Sequence, residues 1–389
     1  MTPGERRQRA ARARLTCLAE PGDQLLGELL RGNEPAAVVA AIAAGRLPAS
    51  MNHPDRDPGA VTRGLRRWAA RAAAAPAWPD LGDWQRRGVR LACPGDPEWP
   101  TQLDVLGDAG PYALWLRGSG DLRFGCLRSV SVVGSRAATG YGIHVATEMA
   151  AALGDHGWTV VSGGAYGIDG AAHRGALATG GLTFAVLACG VDRPYPAGHV
   201  GLFADATVHG ALISEWPPGR APSRHGFLVR NRVIAALTRG TVVVEAGLRS
   251  GALSTARHAR DLCRPLMAVP GPVTSAASAG CHEIIRNWDA VCVTGAADVL
   301  DCVAPAGEHM SVPRRGPALP HDALAPQEAL VLDAVPARGG AGPVTIAASA
   351  GVDTDTVIRC LGALAAAGFV ARGDQGWTAR TTLARPGGR

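Results

Sequence analysis

Between Val130 and Val293 the chain alternates short, β-branched apolar runs with stretches of helical character. The runs are Val130-Ser131-Val132-Val133, Thr159-Val160-Val161, Thr183 to Leu187, Ala211-Leu212-Ile213, Thr241 to Val244, Leu266 to Val269 and Ala290 to Val293. Each is continuously apolar rather than alternating, the pattern of a strand buried on both faces. Buried strands separated by helices form βαβ units, with right-handed crossovers in a parallel sheet. Residues 126–303 are therefore expected to be α/β, a Rossmann-like, doubly wound, mainly parallel sheet.

The regions on either side read differently. Residues 1–83 are expected to be helical, a SAM-like or degenerate helix-hairpin-helix region. Its clearest element is Pro35 to Gly45, with proline at the start and glycine at the end; Thr62 to Ala75 is a second. Residues 84–125 read as a connecting extension punctuated by Pro94, Pro97 and Pro100, with a strand at Ala113 to Leu116. Residues 304–325 are Pro/Gly-rich and read as a linker. In 326–380 three helices (Pro326 to Val335, Val344 to Ala350, Thr354 to Ala367) precede a turn at Gly373-Asp374-Gln375-Gly376, the order of a winged helix. Residues 381–389 are expected to be a disordered tail.

The 389-residue chain carries a net charge of +6 and has no lysine, so all 39 of its basic residues are arginine. Any phosphate contact must then come from a guanidinium fork, a histidine or backbone N–H groups. The nine cysteines are scattered, mostly in apolar runs, and none forms a CxxC pair. That argues against a disulfide framework and against structural zinc. No apolar run approaches a membrane span. The basic N-terminus (Arg6, Arg7, Arg9, Arg12, Arg14) lacks the apolar region of a signal peptide. A cytoplasmic location without membrane association is expected.

In open parallel sheets ligands bind beyond the carboxyl ends of the strands, and glycines cluster there. After the first strand comes Gly134-Ser135-Arg136. After the second comes Ser162-Gly163-Gly164-Ala165-Tyr166-Gly167. After a later strand comes Gly247-Leu248-Arg249-Ser250-Gly251 before a helix start. Glycine lets backbone approach an anion, and helix N-termini present unpaired N–H groups. Three such loops on one edge predict a phosphate cradle. The spacing is neither GxGxxG nor a Walker A loop, so a nucleotide-cofactor fingerprint is absent. Arg136 is placed to reach a phosphate bidentately. The stretch Arg224-His225-Gly226-Phe227-Leu228-Val229-Arg230-Asn231-Arg232 joins three arginines to an aromatic, which suits an unpaired strand. Phe227 either stacks on a base or sits in the core. Asp169 reads as a helix N-cap, with His173 a partly buried histidine on the same helix face. Glu245, at a strand end, is of a type that serves as acid or base. No nucleophile with a base and no metal cluster is apparent, so no catalytic residue is assigned.

As an ordered set these segments resemble the DNA-processing protein A family (DprA, also called Smf). The resemblance runs from about Gly134 through Ala290. It includes Val133-Gly134-Ser135-Arg136, Ser162 to His173, Gly190 to Pro196, Ser214-Glu215-Trp216-Pro217, Phe227 with Arg230-Asn231-Arg232, Val244-Glu245-Ala246, Ser250 to Ala256 and Val269-Pro270-Gly271. It implies a Rossmann-like core that binds single-stranded DNA, a homodimer, and help in loading the RecA recombinase onto incoming strands during natural transformation. It implies no obligatory cofactor. Carried over position by position, the phosphate contacts fall on Gly134, Ser135, Arg136, Ser162, Gly163, Gly164, Arg230, Asn231 and Gly251. Ala165, Gly167, Arg224 and Arg232 join this candidate set, with Phe227 as the base-stacking candidate. Leu228 stands where the family commonly has proline, His282 where asparagine is frequent, and Trp288-Asp289-Ala290 where a glycine–alanine pair is usual. The alternative is an enzyme on a related scaffold that hydrolyses the glycosidic bond of a nucleoside monophosphate, with Glu245 and Arg257 as its residues.

Overall fold

The computed structural model describes residues 2–51, 57–74, 80–308 and 319–380. The described residues form two compact units, 2–308 and 319–380.

The larger unit opens with helices α1 (Pro3–Leu18), α2 (Gln24–Arg31), α3 (Pro35–Ala44), α4 (Pro58–Ala74) and α5 (Leu81–Arg86). Thr2 and Glu5 form a capping box that starts α1, and α3 ends at Gly45 with φ 67°, as its proline-start, glycine-end pattern predicts. Helices α1 to α4 share a core of Leu15, Leu26, Leu29, Ile42 and Trp68, onto which Tyr112 packs, while Leu81 and Trp84 of α5 pack with Val89 and Trp115.

The sheet strands are β1 (Val89–Ala92), β2 (Leu114–Arg117), β3 (Ser129–Val133), β4 (Thr159–Ser162), β5 (Thr183–Leu187), β6 (Gly210–Ser214), β7 (Gly240–Val243), β8 (Leu266–Ala268) and β9 (Val291–Cys292). They lie in the order β1-β2-β6-β5-β4-β3-β7-β8-β9. Strands β3 to β9 are parallel, while β1 and β2 add an antiparallel edge beside β6. The sequence predicts β2 but sets 84–125 apart as a connection. In the structure that region supplies two strands of the sheet. Strand β1 escapes detection because Arg90 interrupts its apolar run. The arginine is held at the edge, donating to Glu98 at 2.9 Å and to the Gly120 carbonyl at 2.7 Å.

Helices cover both faces, as continuous apolar strands require. They are α6 (Leu122–Leu127), α7 (Gly140–Asp155), α8 (Ile168–Ala178), α9 (Val200–Val208), α10 (Arg224–Leu237), α11 (Ala252–Asp261), α12 (Ala279–Asn287) and α13 (Ala296–Val303). Side chains of α10, α11 and α12 share one core with Val133, Val161, Phe184 and Val243. Those of α7, α8 and α13 share another with Val130, Val132, Val160 and Val242. The strand order reverses at β3, which has β4 on one side and β7 on the other. The loops after β3 and β7 diverge there, and such a switch point opens a crevice at the carboxyl edge.

The smaller unit contains α14 (Pro326–Ala334), α15 (Pro343–Ala350), α16 (Thr354–Ala366) and the hairpin β10 (Val370–Gly373) and β11 (Gly376–Ala379). Val331, Ile346, Val357, Leu361 and Leu364 form its own core. Three helices and a hairpin, with Ala341 bridging to Trp377, follow the order of a winged helix. Residues 309–318 of the expected linker and the expected tail, 381–389, lie outside the described residues. Among the described residues no helix is long and apolar enough to cross a membrane.

Candidate nucleic-acid interface

The switch point opens into a cavity of about 890 Å³. Loop residues Gly134, Ser135 and Arg136 after β3 and Gly247, Arg249, Ser250 and Gly251 after β7 form its walls, and the start of α10 closes it. Arg136, Arg224, Arg230 and Arg249 line it, and Asp169 is the one carboxylate among its lining residues. A wide, arginine-lined cleft with a single carboxylate concentrates anions.

Ser223 starts α10 by accepting the Gly226 N–H at 3.0 Å, which sets Arg224 in the helix's exposed first turn. Phe227 lies one turn on, half-buried, with Arg230 on the same face. The Phe227 ring has the Arg136 guanidinium 4.7 Å from its centroid and the Arg230 guanidinium at 5.8 Å. Tyr195 packs beside it with ring centroids 5.9 Å apart. The two readings of Phe227 resolve into an intermediate: the ring lines the cavity and carries cations against it.

Arg230 is 5% exposed. Its Nη1 donates to the Gly163 carbonyl at 2.9 Å and also to the Val186 carbonyl. Its Nε donates to Asn231 Oδ1 at 3.2 Å. Burial pulls its pKa down to about 10, opposed by the negative charge of Asp169. It therefore stays a cation at neutral pH. Asn231 in turn donates to the Gly251 carbonyl at 3.4 Å, tying α10 to the loop after β7.

The second glycine loop does not line the cavity as the sequence predicts. Asp169 accepts the N–H groups of Gly163 at 3.1 Å and Ala165 at 3.3 Å, so these donors are already taken. Ser162 is buried and donates to the Val132 carbonyl at 2.7 Å. Gly163 is needed for space, since a Cβ there would meet Arg230 Nη2 at 2.6 Å. Gly164 sits against the Phe203 ring. Gly167, at φ 76°, adopts the left-handed region and lies on the Ser135 and Arg136 carbonyls, leaving no room for a side chain. Of this loop only Ala165 faces the cavity. Its other members shape the Arg136 loop and seat Arg230.

Arg232 also lies away from the cavity. It forms a two-pronged pair with buried Glu215, both contacts 2.6 Å, and its Nε donates to the Ala109 carbonyl at 3.0 Å. Two residues past Arg230 on a helix, it points to another face. Asp169 is not the N-cap of α8; Gly167 holds that position, and Asp169 instead braces the loop. His173 is fully rather than partly buried, with Nδ1 2.8 Å from Thr183 Oγ1. Glu245 accepts both the N–H and the hydroxyl of Thr139 at 2.8 Å, which anchors the start of α7. Arg257 lies over the Trp288 ring, 5.6 Å from its centroid. Neither Glu245 nor Arg257 lines the cavity. Sequence reasoning missed Asp169 as brace of the second loop and Arg249 as cavity lining. Position alone pointed to Arg249, since it sits inside the glycine loop before α11.

Residues 90–304 match the family model described as DNA recombination-mediator protein A. A Mycobacterium tuberculosis protein named as DNA processing protein DprA is 44% identical over 376 residues, covering 94% of this chain and 92% of that one. The DNA processing protein DprA of Streptococcus pneumoniae is 39% identical over 206 residues, covering 53% of this chain and 71% of that one. Its X-ray structure superposes with a TM-score of 0.58 at 29% identity, covering 79% of this chain and 99% of that one.

Proposed function

Since the chain belongs to the DNA recombination-mediator protein A family, we propose that it binds single-stranded DNA in the arginine-lined cavity at the switch point. The observation that carries this is the Arg136–Phe227–Arg230 cluster. Guanidinium groups for phosphates stand against an aromatic ring, as suits an unpaired strand. The cavity is open and its cations come from three separate segments, so it fits a chain of phosphates better than one nucleotide.

The strand is held by charge and shape, without base-edge readout. Arg136, Arg224 and Arg249 take phosphates, Ser135 and the Gly251 helix start add neutral donors, and buried Arg230 supplies fixed positive potential below them. The protein acts as a mediator rather than an enzyme. It works as a homodimer in the cytoplasm, shields incoming single strands and helps load the RecA recombinase onto them during natural transformation. These last roles rest on the resemblance to DprA.

Fluorescence anisotropy with a labelled oligonucleotide tests the reading, with unlabelled single strand, duplex and nucleoside monophosphate as competitors. Salt-sensitive binding displaced by single strand, and poorly by the mononucleotide, is expected. Equal displacement by the mononucleotide would overturn it.

A further inference from the structure

The loop after β7 contributes Arg249 to the cavity and leads through Gly251 into α11. That helix buries Ala252, Leu253, Thr255, Ala256 and Ala259 and leaves Arg257 and Arg260 exposed. The two arginines are three residues apart and share a face. At 1.5 Å rise per residue they stand about 9 and about 14 Å along the helix from Gly251. Both reach the same ring: Trp288 has the Arg257 guanidinium 5.6 Å and the Arg260 guanidinium 4.7 Å from its centroid.

Trp288 follows α12, is half-buried against the core below α11, and is fixed by a backbone N–H to the Ile284 carbonyl at 3.0 Å. Nearby acids do not neutralise the pair. Arg260 has only a long contact of 3.9 Å to Asp261, and among the described residues Arg257 makes no ion pair. Two like charges on one indole repel each other. An exposed cation–ring contact is also weak, so an anion can draw either guanidinium away and uncover the ring.

We infer that Arg257, Arg260 and Trp288 form a second contact site for single-stranded nucleic acid, engaging the segment that leaves the cavity past Gly251. The guanidinium groups take its phosphates, and the ring stacks on a base. A plain surface cation–π cluster needs one arginine and no alignment with a cavity. Here two line up on the helix that starts at the cavity rim. The inference rests on the cavity reading, and strand length separates the two.

The test is anisotropy with labelled oligothymidylates of about 4 and about 25 nucleotides, bracketing common single-strand site sizes. The variants are full-length Arg257→Gln/Arg260→Gln and, separately, Trp288→Leu. The arginine variant is expected to bind the short strand normally and the long strand about tenfold more weakly. Its log–log salt slope on the long strand should flatten by about 1.4, for two lost phosphate contacts. Trp288→Leu should weaken long-strand binding with the slope unchanged, because stacking releases no counterions. Unchanged long-strand binding in the arginine variant overturns the second site, and so does an equal loss at both lengths. Wild-type protein that binds neither length overturns the cavity reading and this one with it.

Discussion

The guanidinium of Arg136 lies over the ring of Phe227, 4.7 Å from its centroid, so the exposed cation of the first loop is held at the cavity by an aromatic on α10. Among the described residues no acid pairs with Arg136, so the contact orients it while its N–H groups stay available to phosphate. Arg136→Ala should weaken single-strand binding roughly 10- to 100-fold, the value of one charge-assisted contact, and flatten the salt slope by about 0.7. Phe227→Leu should also weaken binding, by lost stacking and a less ordered Arg136. An Arg136→Ala variant with wild-type affinity and slope would remove the first loop from the site.

The pair formed by Arg232 and Glu215 leads to an opposite expectation for a neighbouring arginine. Their side chains are 8% and 6% exposed. Removing one partner strands a buried charge, at a cost of about 3–5 kcal/mol. Arg232→Ala should therefore lower the urea midpoint strongly, while the folded fraction binds single strands as the wild type does. Glu215→Gln, which keeps shape and one acceptor, should be milder. Loss of binding with stability intact would put Arg232 back in the interface.

The sheet was legible because its strands are continuously apolar and spaced by helices, and the ligand-binding edge because glycines cluster after those strands; the strand order that sets the switch point is seen only in the structure. Individual roles were less so. Arg230 and Arg232 look equivalent in sequence, yet one faces the cavity and the other Glu215. Their separation depends on helix phase and on a carboxylate distant in the chain. The second glycine loop reads as an anion nest, but Asp169 fills it internally. Nothing local distinguishes a nest filled by the protein's own carboxylate from one awaiting a phosphate.

His173 predicts an acid limit to stability. Thr183 donates its one hydroxyl proton to the Val160 carbonyl at 2.8 Å, so it accepts from His173 Nδ1–H at 2.8 Å. Nε2 is then the unprotonated nitrogen, buried and without a hydrogen-bond partner among the described residues. Burial first, then the neighbouring His199, Arg174 and Arg230, holds the pKa at about 3 against an ordinary 6.5. A depressed pKa means the unfolded chain takes the proton first. The stabilisation is full above pH ~6.5 and is lost toward pH ~3, by about 1.4 kcal/mol per pH unit. His173→Phe should flatten the fall in urea midpoint between pH ~6 and ~4. An equally steep fall in that variant would assign the acid sensitivity to other groups.

The smaller unit presents its third helix, α16, with Arg359 as that helix's sole basic residue. Arg359 Nη2 donates to Thr356 Oγ1 at 3.0 Å, which turns it back onto its own helix. Ile358 beside it is 53% exposed, and Val344 on α15 is 71% exposed. Reading a major groove requires several polar or cationic side chains reaching base edges from the recognition helix. This helix offers an isoleucine and a self-bonded arginine instead. The unit has its own core around Val331, Ile346 and Leu361, so a fragment spanning 319–389 should fold. That fragment is expected to show no duplex binding above the non-specific range by gel shift, and Arg359→Ala should leave the full chain's DNA affinity unchanged. Ile358→Asp should leave DNA binding intact and alter protein association, read by light scattering of the full chain. Tight, sequence-dependent duplex binding by the fragment would instead make α16 a DNA reader.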